Sequence, residues 1–263
     1  MGCFPCVPKA PLRDLPSNVV EVNVKDPAQF EEAAAVMTRS FAGSESTPPE
    51  GSMDWTLGPL FSEKWTDPQR AELMSYFMKV TLYTDGRSKN GRVLAVRTKD
   101  GEGFGAVIAF QYHLKGFKGE SFMENMPALM KMGLPPYLKE PLKSNGGKGI
   151  DVRCSALGMV EEIHKKYASK PHIYVNTVAV DPAQQGQGLC SPLMRLVSKL
   201  ADEKGLMCFL QAAGEKNPAI YQRYGYEIVG QGELSCKNDP DNSGPVPVSA
   251  MIRPAKEQRK AET

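Results

Sequence analysis

The amino-acid sequence predicts an α/β (α+β) protein, and three stretches carry that reading. Residues 175–191, VNTVAVDPAQQGQGLCS, open with β-branched residues (Val175, Thr177, Val178, Val180), turn at Asp181-Pro182 and pass through Gln185-Gly186-Gln187-Gly188. From Leu189 the apolar positions change period, with Leu193, Leu196, Val197 and Leu200 at helical spacing, so the stretch predicts strand, glycine turn, helix. Residues 92–98 and 104–112 predict two strands joined by Asp100-Gly101, a dipeptide that favours hairpins. Residues 18–24 alternate as an opening strand with Val20, Val22 and Val24 on one face, and Asp26-Pro27 then supplies an N-cap and a proline at the first helical position.

The other elements follow in order. The helix opened by Asp26-Pro27 carries Phe30, Ala33, Ala34, Met37 and Phe41 on its apolar face. Residues 43–58, rich in Ser, Pro and Gly, read as a loop. Asp67-Pro68 caps a second helix with Leu73, Tyr76, Phe77, Val80 and Leu82 inward, ending near Asp85-Gly86. Residues 114–171 are an insertion: a methionine-rich segment (Met123, Met126, Met130, Met132), a plain loop at 144–147 and a helix over 155–167. Methionines at helical spacing predict core packing, and flexible thioethers can also line an apolar pocket. A strand over 207–212, a short helix after Asn217, a turn-rich loop at 238–245 and a last strand over 246–252 complete the domain, which spans 18–253. Residues 1–17 read as a flexible leader and 254–263 as a charged, disordered tail.

Composition excludes several classes. The chain has 263 residues, enough for a substantial core, and its formal net charge of +2 gives no strong drive toward nucleic acid. No apolar stretch reaches the roughly 20 residues of a membrane-spanning helix. The six cysteines (3, 6, 154, 190, 208, 236) lack metal-ligand spacing and read as reduced thiols of a cytoplasmic protein. Gly2, with Cys3 and Cys6 close by, is a candidate acylation site for peripheral membrane attachment, although position 6 holds Cys where the usual signal has Ser or Thr. The three histidines suggest no metal: His113 reads as a solvated residue at a strand end, His164 lacks zinc-motif spacing, and His172 has no evident partner.

The glycine turn is where chemistry is expected. The first amides of a helix have no intrahelical acceptor and, with the helix dipole, favour an anion in front of them. Glycine at 186 and 188 lets a phosphate approach those amides. An ordinary strand-to-helix turn needing unusual dihedrals explains the same two glycines equally well.

Residues further on decide between these readings. Gln185, Gly188 and Cys190 resemble the acyl-CoA loop of the GNAT (GCN5-related) N-acetyltransferases, in which Gln or Arg is followed by two residues, Gly, one residue, then Gly or Ala; Cys190 departs from the last position. Residues 217–227, NPAIYQRYGYE, resemble the family's second signature: Asn, a short helix with Ala and Tyr, then Gly and an aromatic residue. The resemblance covers residues 174–233. It implies a mixed, mostly antiparallel twisted sheet of about seven strands flanked by helices, with the fourth and fifth strands splayed.

The resemblance further implies acetyl transfer from acetyl-CoA, without a metal, to the primary amine of a small molecule, most like the puromycin-modifying enzymes. It places Val178, Ala179 and Val180 along the pantetheine arm, with a bulge near residues 177–179 and the Val178 amide on the thioester carbonyl. Gln185, Gly186, Gln187, Gly188, Leu189, Cys190 and Ser191 form the pyrophosphate loop, and Asn217 hydrogen-bonds the cofactor. Tyr221 is the general acid for the leaving sulfur, while Tyr224 and Tyr226 pack. The general base stays open among Asp151, Glu161, Glu162, His113 and water. A protein or peptide amine as acceptor, and a non-catalytic acyl-CoA-binding module, are the competing readings. Either a monomer or a homodimer is compatible with the sequence.

Overall fold

A computed structural model describes residues 11–43, 50–58, 68–117, 122–242 and 244–256, without the side chains of 122–125, 145 and 146. The lipidation candidates Gly2, Cys3 and Cys6, the N-cap expected at Asp67 and the end of the tail lie outside these residues.

The elements are β1 (Val19–Glu21), α1 (Pro27–Ala42), α2 (Gly51–Leu57), α3 (Pro68–Arg87), β2 (Gly91–Arg97), β3 (Phe104–His113), α4 (Phe122–Met132), α5 (Lys148–Ala156), α6 (Gly158–Tyr167), β4 (His172–Val180), α7 (Cys190–Glu203), β5 (Met207–Ala213), α8 (Asn217–Gln222), β6 (Glu227–Leu234) and β7 (Val246–Arg253). The strands form one sheet in the order β1-β2-β3-β4-β5-β7-β6. Every neighbouring pair is antiparallel except β4 and β5. The predicted fold class is therefore the observed one.

Alternation along the strands builds two cores. Val93, Ala95, Val107 and Ala109 face α1 and α3, where Phe30, Ala33, Met37, Leu73, Met74, Met78 and Leu82 are buried. Leu94, Val96, Ala106, Ile108 and Phe110 face α7 and its Leu193, Leu196 and Val197. The inward face of α3 thus runs through Met74 and Met78, a step away from the Tyr76 and Val80 that periodicity alone selected. The N-cap of α1 forms as expected, with Asp26 accepting from the backbone N–H of Ala28 and Gln29 and Pro27 opening the helix.

Other expectations are corrected. The opening strand is only three residues long. Part of the 43–58 loop is helix α2, because Glu50 caps it by accepting from Met53 N. The helix expected over 155–167 is two, α5 and α6, meeting at Leu157 and Gly158. The plain loop at 144–147 belongs to a π-type turn over Lys143–Gly147. In α4, Met132 packs against the core, as expected, while Met130 is exposed and fits neither reading.

The insertion has a structural task. Arg153 of α5 is buried and donates to the carbonyls of Thr56 and Leu57 at the end of α2, and to Asp239 and Asp241, both at 2.7 Å, in the loop before β7. One side chain thus ties the insertion, α2 and that loop together.

Candidate active site

Strand β4 is the axis of the site. It pairs with β5 only through His172–Met207, Ile173–Cys208 and Tyr174–Phe209, after which β5 continues against β7 alone and the two strands part. On its other side β4 keeps its ladder with β3, but with a shift: Ala109 faces Thr177 and Phe110 faces Val175, leaving Asn176 as the extra residue. The bulge is therefore at Asn176, one residue before the predicted 177–179. A bulge reverses which face later residues take. Ile173 and Val175 pack toward α7, and beyond the bulge Val178 and Val180 take that face while Ala179 turns to the α1 side.

The same shift aims the backbone. Asp181 N donates to Gly105 O on β3, so the preceding amide, Val180 N, points away from β3; it donates to Ser40 Oγ of α1 at 3.2 Å. Backbone amides alternate along a strand, so Val178 N points the same way, into the gap between β4 and β5. Of the two amides that the sequence placed on the pantetheine arm, Val178 N thus opens into the splay, while Val180 N, aimed the same way, is taken by Ser40 Oγ. Arg39 holds the end of α1 there through Asp181 Oδ2, its Nε at 2.8 Å.

Past Asp181 the chain makes one turn of 3₁₀ helix (Pro182–Gln184) and reaches Gly186 and Gly188, with φ of 77° and 78°. These are left-handed conformations that only glycine adopts without cost. A β-carbon built on either would meet no atom within 4 Å, so dihedral angle rather than crowding demands glycine there. The loop from Gln185 to Gly188 is exposed, while Leu189 is buried against the sheet. No side chain caps α7 and no acidic residue sits in its first turn, so the start of the helix is clear of competing carboxylates, although Ser191 N donates to Gly188 O at 3.1 Å within the turn. Burial pushes the Cys190 thiol up to about 11, so it is a protonated loop residue and no nucleophile at neutral pH.

The far side of the gap is built by β5, α8 and α2. Asn217 Nδ2 donates to Ala213 O at 2.8 Å, fixing the start of α8 on the end of β5 and leaving Oδ1 as the atom it can offer a ligand. Tyr221 follows one turn later, partly buried, with its ring edge on Tyr226. Burial, then the nearby Cys190 and Glu50, raise its phenol above the ordinary value. Tyr226 is fully packed, as expected, whereas Tyr224 is only partly covered.

Glu50 is the residue that sequence reasoning missed. Its backbone N–H donates to Phe41 O at the end of α1, and its neighbour Gly51 lies against Gly214, just past β5, so it links the end of α1 to the end of β5. The carboxylate accepts from Ser52 Oγ at 2.5 Å and from Met53 N at 2.9 Å, yet burial still raises its pKa. A capping pattern, Glu50 three residues before Met53, was the available signal, hidden in a stretch dominated by Pro and Ser. The bases first considered lie elsewhere. Glu161 and Glu162 pair with Lys165, Asp151 is exposed on α5, and His113 sits at the opposite end of β3.

His113 is also not the solvated residue expected. Its Nε2 is buried, and its ring stacks on His172, with His164 edge-on to it. Burial, with His172 nearby, lowers its pKa to about 4.

Residues 149–228 match the sequence model of the family described as the acetyltransferase (GNAT) domain. No curated protein matches the chain by sequence. Among solved structures, the histone acetyltransferase HPA2 and related acetyltransferase from Corynebacterium glutamicum ATCC 13032 superposes with a TM-score of 0.52 at 16% identity, over 90% of this chain and 96% of that one. Naa20 of Chaetomium thermophilum gives a TM-score of 0.45 at 12% identity over 93% and 90% of the two chains. The ribosomal-protein-S18-alanine N-acetyltransferase of Escherichia coli also gives 0.45, at 11% identity over 90% and 92%. The first of these likenesses establishes a shared fold.

Proposed function

From the match of residues 149–228 to the GNAT acetyltransferase domain and the shared fold, we propose that this chain is an acetyltransferase that moves the acetyl group of acetyl-CoA directly to the primary amine of a small molecule. The observation that carries the reading is the gap between β4 and β5, with the Val178 amide opening into it, the Val180 amide aimed the same way onto the displaceable Ser40 hydroxyl, and the glycine turn and uncapped start of α7 at its end. An extended pantetheine arm would pair with those amides as an added strand, and its diphosphate would meet the turn. Arg195 and Arg223, beside Tyr224, line a depression on the outer side of α7 and supply cations for a further phosphate.

The chemistry follows from what stands around the gap. An amine near neutrality is mostly protonated and must lose a proton before its nitrogen attacks the thioester carbon. Glu50, an anion whose proton affinity is raised by burial, is suited to take it. As the C–N bond forms, the carbonyl oxygen gains charge, and the Val178 N–H would stabilise it by about 3 kcal/mol. The C–S bond then breaks, Tyr221, whose raised pKa keeps the phenol protonated, donates to the departing sulfur, and the second proton shed by the nitrogen, cationic after attack, restores the phenol.

A small acceptor is favoured over a peptide because α2 and the insertion are packed firmly beside the end of β5, where the gap opens. Trp55 of α2 packs with Ala213, Leu234 and Val248, and Arg153 of the insertion locks the far end of that helix. The test is release of free CoA thiol from acetyl-CoA across a panel of small primary amines and amine-terminated peptides. Turnover confined to small amines supports the proposal. Turnover confined to peptides removes the small-molecule assignment, and tight acetyl-CoA binding without any turnover leaves a binding module.

A further inference from the structure

All three histidines of the chain meet at one place, the end of β4 remote from the splayed gap. His113 ends β3, His172 opens β4 directly opposite it in the ladder, and His164 comes down from α6. Their nearest ring nitrogens all lie within 4.8 Å of one another. The geometry points to a structural site for one zinc(II)-type transition ion held by these three imidazoles.

Three features distinguish this cluster from aromatic packing alone. His172 Nδ1 stands 2.7 Å from Lys170 O. A carbonyl only accepts, so the proton is on Nδ1 and the lone pair on Nε2 faces the cluster, which is how a backbone carbonyl orients a ligating histidine. His113 Nε2 is buried and has no hydrogen-bond partner among the described residues, a costly state for a ring nitrogen that a metal bond would relieve. His164 Nε2 lies 2.7 Å from His172 Nε2, and stacking on Phe117 (centroids 3.7 Å apart, planes at 4°) and on Phe209 holds its ring.

Ligand nitrogens around a tetrahedral zinc stand about 3.3 Å apart, from bonds of about 2.0–2.1 Å. The 2.7 Å contact must open and the widest pair close by about 1.5 Å, within reach of small ring rotations. A neutral all-nitrogen set with no carboxylate suits zinc and its late transition neighbours rather than magnesium or calcium. Water would complete the tetrahedron. Bound there, the ion clamps α6 to the β3–β4 edge, about 20 Å along β4 from the Val178 amide at the usual strand rise. It takes no part in acetyl transfer, and the site stands or falls independently of the proposed activity.

The experiment uses the full chain, stripped with a chelator and titrated with zinc chloride by calorimetry and with cobalt(II) by visible absorption. The expected result is one equivalent of zinc, the intense visible bands of tetrahedral cobalt without thiolate charge transfer, and a zinc-dependent rise in Tm. His113→Gln, at the least buried of the three, should weaken zinc at least tenfold and abolish the rise in Tm. Absence of stoichiometric uptake by the unmodified chain overturns the site whatever the variants do. So do equal uptake by His113→Gln and cobalt bands of thiolate origin.

Discussion

The side-chain amide of Asn176 stands 2.9 Å from Oδ2 of Asp85, a fully buried carboxylate in the last turn of α3 whose other oxygen accepts from Gln111 Nε2 at 2.5 Å. The bulged residue of β4 is thus anchored from the helix layer, and with it the outward aim of the Val178 and Val180 amides. Removing a donor from a buried charge costs about 1.5–3 kcal/mol. Asn176→Ala should therefore lower stability in urea by about 2 kcal/mol and raise KM for acetyl-CoA. An unchanged urea midpoint would show that the anchor is not what holds the bulge.

Gly188 tests the turn. At φ 78° an added methyl has open space but the wrong backbone preference, costing about 1–2 kcal/mol if the conformation is kept. The loop will relax instead, and Gly188→Ala is expected to weaken acetyl-CoA at least tenfold in calorimetry with far-ultraviolet circular dichroism unchanged. Undiminished affinity would remove the turn from the binding site.

Glu50 and Tyr221 predict a pH profile. A base acts when deprotonated, and burial raises Glu50 above the ordinary 4.5, so the acidic limb of kcat/KM should lie at higher pH than an exposed glutamate would place it. Glu50→Gln should abolish that limb and lower kcat/KM about 100-fold. Tyr221→Phe, which keeps the ring packing, should lower kcat about 100-fold across the accessible pH range, because the raised phenol pKa keeps the acid protonated throughout. A wild-type limb retained in Glu50→Gln would assign the base to another group.

Arg153 tests the packing beside the gap. Replacing it with Met removes the cation that pairs with the buried carboxylate of Asp239 and with Asp241, and uncaps the carbonyls of Thr56 and Leu57. Breaking a buried pair in this way costs about 3–5 kcal/mol. Arg153→Met should show a loss of that size in urea and lowered kcat, since the α2 it secures begins beside Glu50. A change of under about 0.5 kcal/mol, the size of an ordinary surface substitution, would mean the insertion does not brace the site.

The sequence alone determined the elements whose signal is local. Asp26-Pro27 starts α1, the change of period at Leu189 starts α7, and Gly186 and Gly188 announce left-handed turns, because caps, periodicity and dihedral preference act over a few residues. The order of those signals around residues 175–227 was enough to reach the family whose model matches residues 149–228. Tertiary structure decided everything that joins distant segments. The bulge settled at Asn176 because Asp85, 91 positions away, holds its side chain. Glu50 became a candidate base because the start of α2 lies between the end of α1 and the chain just past β5, and three unrelated histidines met because β3, α6 and β4 converge at one end of the sheet. Such contacts leave no periodic trace along a chain, since each depends on how whole elements pack and not on the residues next to it.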